Sequence, residues 1–300
     1  MLSIILKIIN NIKSKLILII LRFDNKTFEN IYKKAIFKYY NDINHTPNTE
    51  QLEIINYLKD NPANLFSYEF TKKYSEVDII VYTDDKKKLK YVLLEDKKLY
   101  FKRNCSEKQI KELFSTLLLV QDIKSPHRYL TNDFNISKDD IVADIGSAEG
   151  DFSLGIIEKV KKVYLFESDP ELIEALQATF EPWKEKIIII NKYVSNKITE
   201  TSTTLDSFFK DKESPSFLKI DVEGAEHSLL CGTKQLLSSK RLTKVVIASY
   251  HRYNDEIILR DELEKYDFKT EYSKGYMLSI WDGVLKKPYL RRGLIRATKS

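Results

Sequence analysis

The stretch Ile141-Val-Ala-Asp-Ile-Gly-Ser-Ala-Glu-Gly150 constrains the fold of this chain more than any other. Strand-forming residues from Ile141 to Ile145 run straight into a turn of small residues, Gly146, Ser147, Ala148 and Gly150. Phe152, Ile156, Ile157 and Val160 follow at helical spacing. Glycine lets a backbone approach a ligand closely, and the first amides of a helix have no partner inside the helix. A buried strand, a glycine turn and a helix start together predict a nucleotide-type pocket at the carboxyl end of the strand.

From about residue 138, strand and helix patterns alternate around that stretch. Strands are expected at 141–145, 163–167, 186–191, 217–221, 244–249, 267–273 and 276–281. Helices are expected at 151–160, 169–180, 204–211 and 224–238. Such alternation predicts an α/β fold with a mostly parallel sheet and helices on both faces. Only Ser273-Lys-Gly275 separates the final two strands, so they should form a hairpin with the last strand antiparallel. Residues 1–60 read as helices, 77–101 as a small β-meander, and Ser106–Val120 as a helix capped by Ser106. The segment from Gln121 to Leu130 is polar and aromatic. It is either a wall of the pocket or an ordinary connector held by Tyr129 and Leu130.

Charge and cysteine usage narrow the function classes. The chain has 49 basic and 44 acidic residues, interspersed, for a net charge of +5. No clustered basic face stands out, so nucleic acid is not expected as a partner. Cys105 and Cys231 are far apart, which argues against a zinc site or a disulfide framework and fits a reducing, cytoplasmic compartment. Residues 1–22 are apolar but interrupted by Lys7, Asn10, Asn11, Lys13, Ser14 and Lys15. The run Leu16–Leu21 is too short to span a bilayer. A packed or partner-facing helix is expected; the sharper reading is peripheral membrane contact through residues 1–22.

Three acidic positions punctuate the alternating region. Asp144 precedes Gly146 by two residues, and the turn has two glycines rather than the three of a dinucleotide fingerprint. A carboxylate there would repel a pyrophosphate but suits a ligand bearing an ammonium group. Glu167 ends the second strand, about twenty positions on, where an acidic side chain can accept from both ribose hydroxyls. The bland alternative is a helix-start residue beside Ser168, Asp169 and Pro170. Asp221 ends the fourth strand, followed by Glu223, Gly224 and Glu226 at a helix start. His251 falls just after the fifth strand, on the same sheet edge. It is the first choice for a general base, with Asp221 next and His127 a weaker candidate. Asp221 and Glu223 alone do not define a metal site, and none is expected.

Taken together, Asp144-Ile-Gly146-x-x-x-Gly150, Phe166-Glu167-x-Asp169-Pro170, Thr204-Leu-Asp206-x-Phe208 and Phe217-Leu-Lys-Ile-Asp221-Val-Glu-Gly-Ala-Glu226 resemble the FkbM family of S-adenosylmethionine (SAM)-dependent methyltransferases. The resemblance covers residues 138–250 well and says little about 1–120. It implies the class I SAM-methyltransferase (Rossmann-like) fold: a mostly parallel seven-stranded sheet with a terminal antiparallel hairpin, in a domain spanning 126–300. Residues 1–125 would be a helical and small β accessory region. It further implies SAM as cofactor, with Asp144, Gly146, Ser147 and Gly150 around the methionine part. Glu167 would hold the ribose, Val194 and Ser195 would lie beside the adenine, and Ala148 and Ser168 belong to the same set. The family motif has Asn where this chain carries Glu149. The implied reaction is O-methylation of a small-molecule or glycan-like acceptor. The region lacks the Asn/Asp-Pro-Pro-Tyr sequence of many enzymes that methylate nucleobases. Two rivals remain: an NAD-dependent oxidoreductase, weakened by the missing third glycine, and a non-catalytic scaffold at a membrane surface, opposed by the intact Asp144, Glu167 and Asp221.

Overall fold

The computed structural model describes residues 26–74, 78–278 and 287–299. The segment 1–22, Val77 and the last residues of the strand expected at 276–281 lie outside the described residues. No described helix is long and apolar enough to cross a membrane.

The accessory region starts with helices α1 (Lys26–Tyr40) and α2 (Thr49–Asp60). Helix α2 starts at a capping box between Asn48 and Gln51 and stops ahead of Pro62. Strands β1 (Tyr82–Asp84), β2 (Leu89–Leu94) and β3 (Lys97–Tyr100) form the expected antiparallel meander. Helix α3 (Glu107–Val120) has Ser106 as its N-cap, again in a capping box, here with Gln109.

Strand β4 (Ile141–Ile145) then opens the main sheet, followed by α4 (Asp151–Ile156), β5 (Lys162–Phe166), α5 (Pro170–Phe180) and β6 (Ile187–Ile190). Two short strands, β7 (Tyr193–Val194) and β8 (Ser202–Thr203), pair with each other before α6 (Leu205–Phe209) and β9 (Phe217–Ile220). The helix expected over 224–238 is broken into α7 (Glu226–Cys231) and α8 (Lys234–Ser238), with Gly232 and Thr233 between them. Strand β10 (Lys244–Ala248), α9 (Asp255–Glu264) and β11 (Lys269–Tyr272) follow. Last come β12 (Met277–Leu278), β13 (Leu290–Arg291) and β14 (Leu294–Thr298).

The main sheet has seven strands in the order β11-β14-β10-β9-β4-β5-β6. All neighbours are parallel from β10 to β6, while β14 runs antiparallel to both β10 and β11. The fold class and the antiparallel ending are as expected, but the strand that supplies the ending is not. Met277–Leu278 pairs with Leu290–Arg291 in a separate ladder, and residues 294–298 fill the place beside β11. The hydrophobic pattern around Arg296 is weak, so this strand is not visible as a sequence signal.

Alternation along the strands divides the core into two layers. Ile141, Ala143 and Ile145 join Leu218, Ile220, Val245 and Ile247 on one face, against Leu229, Leu237 and Leu259 from the helices. Val142, Val163, Leu165, Phe217 and Val246 look the other way. Their cluster runs on without a break into Tyr32, Ile36, Leu58, Phe101 and Ile110 of the accessory region. The accessory helices and meander therefore share buried apolar surface with the sheet.

Candidate active site

The chain leaves β4 for the β5–β6 side of the sheet and returns to β9 on the other side. Strand order thus reverses at β4, and in open α/β sheets the carboxyl edge at such a point is where ligands bind. A cavity of about 210 Å³ lies at that edge. Gly146, Ser147, Ala148, Glu167, Asp221 and Met277 line it, with Leu65, Phe66, Leu117 and Val120 from the accessory region.

The glycine turn is shaped by close approach. Gly146 has φ +75°, and a Cβ there would sit 2.0 Å from the carbonyl oxygen of Asp221. Gly150 has φ +83°, and its added Cβ would lie 2.8 Å from both Leu176 and Phe180 of α5. Gly146 lines the cavity, whereas Gly150 serves the packing of the turn on α5 and does not line it. Gly150→Ala should therefore cost about 1–3 kcal/mol of stability through backbone strain and overpacking. Urea denaturation measures this, and an unchanged midpoint would remove the packing role.

Asp144 is placed differently from the expectation. It is fully buried and does not line the cavity. Parallel pairing sets it opposite Lys219 in β9, and the Lys219 ammonium lies 2.9 Å from Asp144 Oδ1. Ser153 donates to the other carboxylate oxygen at 2.7 Å. Lys219 also donates to the carbonyl of Gly146 at 2.7 Å and lies over the Tyr129 ring. Burial alone would lower its pKa, but the charges of Asp144 and Asp221 outweigh that and hold it above the ordinary value. Asp144 and Lys219 thus form a buried strut under the glycine turn. A lysine centred in the apolar run Phe-Leu-Lys-Ile is a signal for such a pair, since a buried ammonium needs a carboxylate partner.

Glu167 stands where expected, at the end of β5 and on the cavity wall. The amides of Ala148 and Asp169 donate to its two oxygens at 2.9 and 2.8 Å and fix its orientation. Ser168 and Val194 line the cavity too. Ser195 does not; its hydroxyl donates to the carbonyl of Lys197, and its own carbonyl packs against Gly232. Glu149, only 2% exposed, also lines the cavity.

The catalytic-type groups converge on Asp221. Tyr129 donates to Asp221 Oδ2 at 2.7 Å, and His127 Nε2 lies 3.3 Å from the same oxygen. Burial alone would raise the Asp221 carboxyl, yet the hydrogen bond and charge of His127 and the charges of His251 and Lys219 carry it well below the usual carboxylate range. His127, Tyr129 and Asp221 all line the cavity. The segment 121–130 is therefore a wall of the pocket.

His251 sits behind Asp221 instead of in front of it. It is 2% exposed and does not line the cavity, and its Nδ1 is 2.8 Å from Glu226 Oε1. Burial by itself would lower its pKa, but Glu226, Glu223 and Asp221 raise it to about 9. An imidazole biased toward its protonated form, and outside the cavity, is poorly suited to accept a substrate proton. Of the two histidines, His127 is the one that faces the cavity. Sequence spacing alone cannot rank them, because His127 reaches the sheet edge from a connector.

Two family models match the chain. One is described as the methyltransferase FkbM domain and matches residues 177–270; the other is ribosomal RNA adenine dimethylase and matches residues 128–210. The chain has a SAM-dependent methyltransferase fold.

No curated protein matches. Among solved structures, a methyltransferase FkbM from Methylobacillus flagellatus KT is similar at 19% identity and TM-score 0.45; the alignment covers 65% of this chain and 56% of that one. TrmK of M. capricolum, solved with S-adenosyl-homocysteine, is similar at 14% identity and TM-score 0.39, over 57% of this chain and 70% of that one. An rRNA methylase from Streptococcus thermophilus is similar at 16% identity and TM-score 0.35, over 55% and 89%. The ribosomal RNA adenine dimethylase match overturns the expectation that nucleic acid is not a partner. It spans the glycine turn, Glu167 and Val194, so neither the interspersed charge nor the lack of Asn/Asp-Pro-Pro-Tyr excludes nucleic acid.

The residues of this methyltransferase fold fit SAM. Gly146 brings the backbone to the cavity with no side chain in the way. The buried Ser147 hydroxyl makes no hydrogen bond to the described residues and so has capacity for a ligand. The amides of Ala148 and Asp169 orient the Glu167 carboxylate at the cavity, and a carboxylate can accept several hydrogen bonds at once.

Proposed function

We propose that the protein transfers a methyl group from SAM to a hydroxyl of a small-molecule or glycan-like acceptor, with His127 as the general base. The observation that carries this reading is the joining of His127 and Tyr129 to Asp221 on the wall of a cavity that the glycine turn also lines. The FkbM-domain match over 177–270, together with the motif from Phe217 to Glu226, supports placing the chain among FkbM-type enzymes.

Bound SAM supplies a methyl on a sulfonium, already activated for attack. Glu167 would accept from the ribose hydroxyls, Glu149 would face the ammonium of the methionine part, and Val194 would pack beside the adenine. Methyl transfer asks the protein mainly for alignment, plus a place for the acceptor's proton. With Nε2 facing Asp221, Nδ1 of His127 is the nitrogen left to take that proton. Tyr129 shares Asp221 Oδ2 and holds the carboxylate in place. Burial, then the nearby Asp221 charge, keeps the Tyr129 phenol protonated as a donor.

A nucleic-acid acceptor is the second reading, favoured by the ribosomal RNA adenine dimethylase match. Incubating the protein and methyl-labelled SAM with extracted RNA, and separately with a small-molecule and glycan extract, separates the two. Label in the second fraction supports the first reading and label in RNA the second; no label in either sinks both. Calorimetric titration tests the cofactor itself. Glu167→Gln and Glu149→Gln should each weaken SAM about tenfold or more, the worth of one charged hydrogen bond. Absence of SAM binding by the wild type would remove the cofactor assignment.

A further inference from the structure

Behind the wall of the cavity, Asp221, Glu223, Glu226 and His251 form a compact set of oxygen and nitrogen donors. One ligand-type atom from each of Asp221, Glu226 and His251 lies within 4.8 Å of the others. His251 Nε2 is 3.7 Å from Asp221 Oδ1 and 3.7 Å from Glu223 Oε2. That spacing is long for a hydrogen bond and leaves room for a cation lodged between the donors at about 2.0–2.2 Å from each.

The outer atoms are arranged to match. Nδ1 of His251 faces Glu226 Oε1 at 2.8 Å, and that oxygen also takes the amides of Val222 and Gly224 at 3.1 and 3.2 Å. A carboxylate that holds the far nitrogen of a histidine is the usual support behind a metal-ligating imidazole. Asp221 divides its two oxygens: Oδ2 serves Tyr129 and lies by His127, while Oδ1 looks toward His251. Asp221 Oδ1 and Glu226 Oε2 are sealed from solvent and accept no hydrogen bond from the described residues. Glu226 is 0% exposed. Buried carboxylate oxygens left in that state call for a cation or an ordered water. Glu223 reaches its place through a left-handed backbone, φ 58°, at a position that is not glycine; such strain gathers at functional sites.

We propose that Asp221, Glu223 and His251, backed by Glu226, bind a divalent cation of the Mn²⁺ type. Carboxylate oxygens suit Mg²⁺ and Mn²⁺, imidazole suits the transition metals, and Mn²⁺ accepts both. The ion takes the Nε2 position of His251 and displaces any proton there to solvent. Asp221 and Glu223 also line the cavity, so the open coordination positions face it. The site is defined by its own donors and stands whether or not methyl transfer is the reaction.

The test is Mn²⁺ binding by the full chain after chelator treatment, with free ion read by electron paramagnetic resonance and Zn²⁺ and Mg²⁺ titrated in parallel. The wild type is expected to bind one equivalent of Mn²⁺. Glu223→Gln and His251→Gln should each weaken it about tenfold or more. Glu223→Gln replaces a side chain at the cavity wall with one of equal size, so it keeps the test valid if the buried His251→Gln variant fails to fold. A wild type that binds none of the three ions, or a folded Glu223→Gln variant that binds as tightly as wild type, overturns the site.

Discussion

Replacing Lys219 with methionine is expected to destabilise the protein by about 3–5 kcal/mol, the cost of leaving one member of a buried ion pair without its partner. Asp144 has no solvent to turn to, because it is fully buried. The same substitution frees the carbonyl of Gly146, so the glycine turn should loosen and SAM affinity fall along with stability. Adding Asp144→Asn to the variant removes the stranded charge and should recover much of the loss. Urea denaturation of the single and double variants reads both effects. A single variant within about 1 kcal/mol of wild type would show that the pair carries no such role.

The second large effect belongs to His127. His127→Gln should lower kcat about 10²–10⁴-fold while leaving SAM affinity near that of wild type, because a general base acts in the transition state and not in cofactor binding. His251→Gln is the informative comparison. It removes a group that lies outside the cavity, so kcat should fall by much less. If His127→Gln keeps kcat within about tenfold of wild type, the base is another group.

Much of the site's frame was legible because it is local. Ile141–Ile145 alternates into both core layers, the turn needs its glycines, and Glu167 and Asp221 follow directly from strands whose ends the pattern marks. What stayed hidden depends on pairing between distant segments. Asp144 looks like a ligand residue until β9 is set beside β4 and brings Lys219 opposite it. His251 and His127 both map near the sheet edge, but only packing shows that Asp221 stands between His251 and the cavity. Glu226 reads as a helix-start acid, and its carboxylate does cap the turn amides; the same oxygen's approach to His251 is a tertiary event. The apolar walls from Leu65 to Val120 come from a region with no recognisable motif.

Strand β14 has a consequence for how the molecule comes into being. Residues 294–298 leave the ribosome after every other strand of the sheet, yet their place is between β10 and β11. Until they arrive, β10 presents an unpaired flank, a template for pairing with other chains. The Arg296 guanidinium then donates to the carbonyls of Arg128 and Tyr129, tying the wall that carries His127 to the newly docked strand. Completion of the pocket thus waits for residues 294–298, and a nascent chain stalled before residue 294 would have its glycine turn but not the finished wall that carries His127.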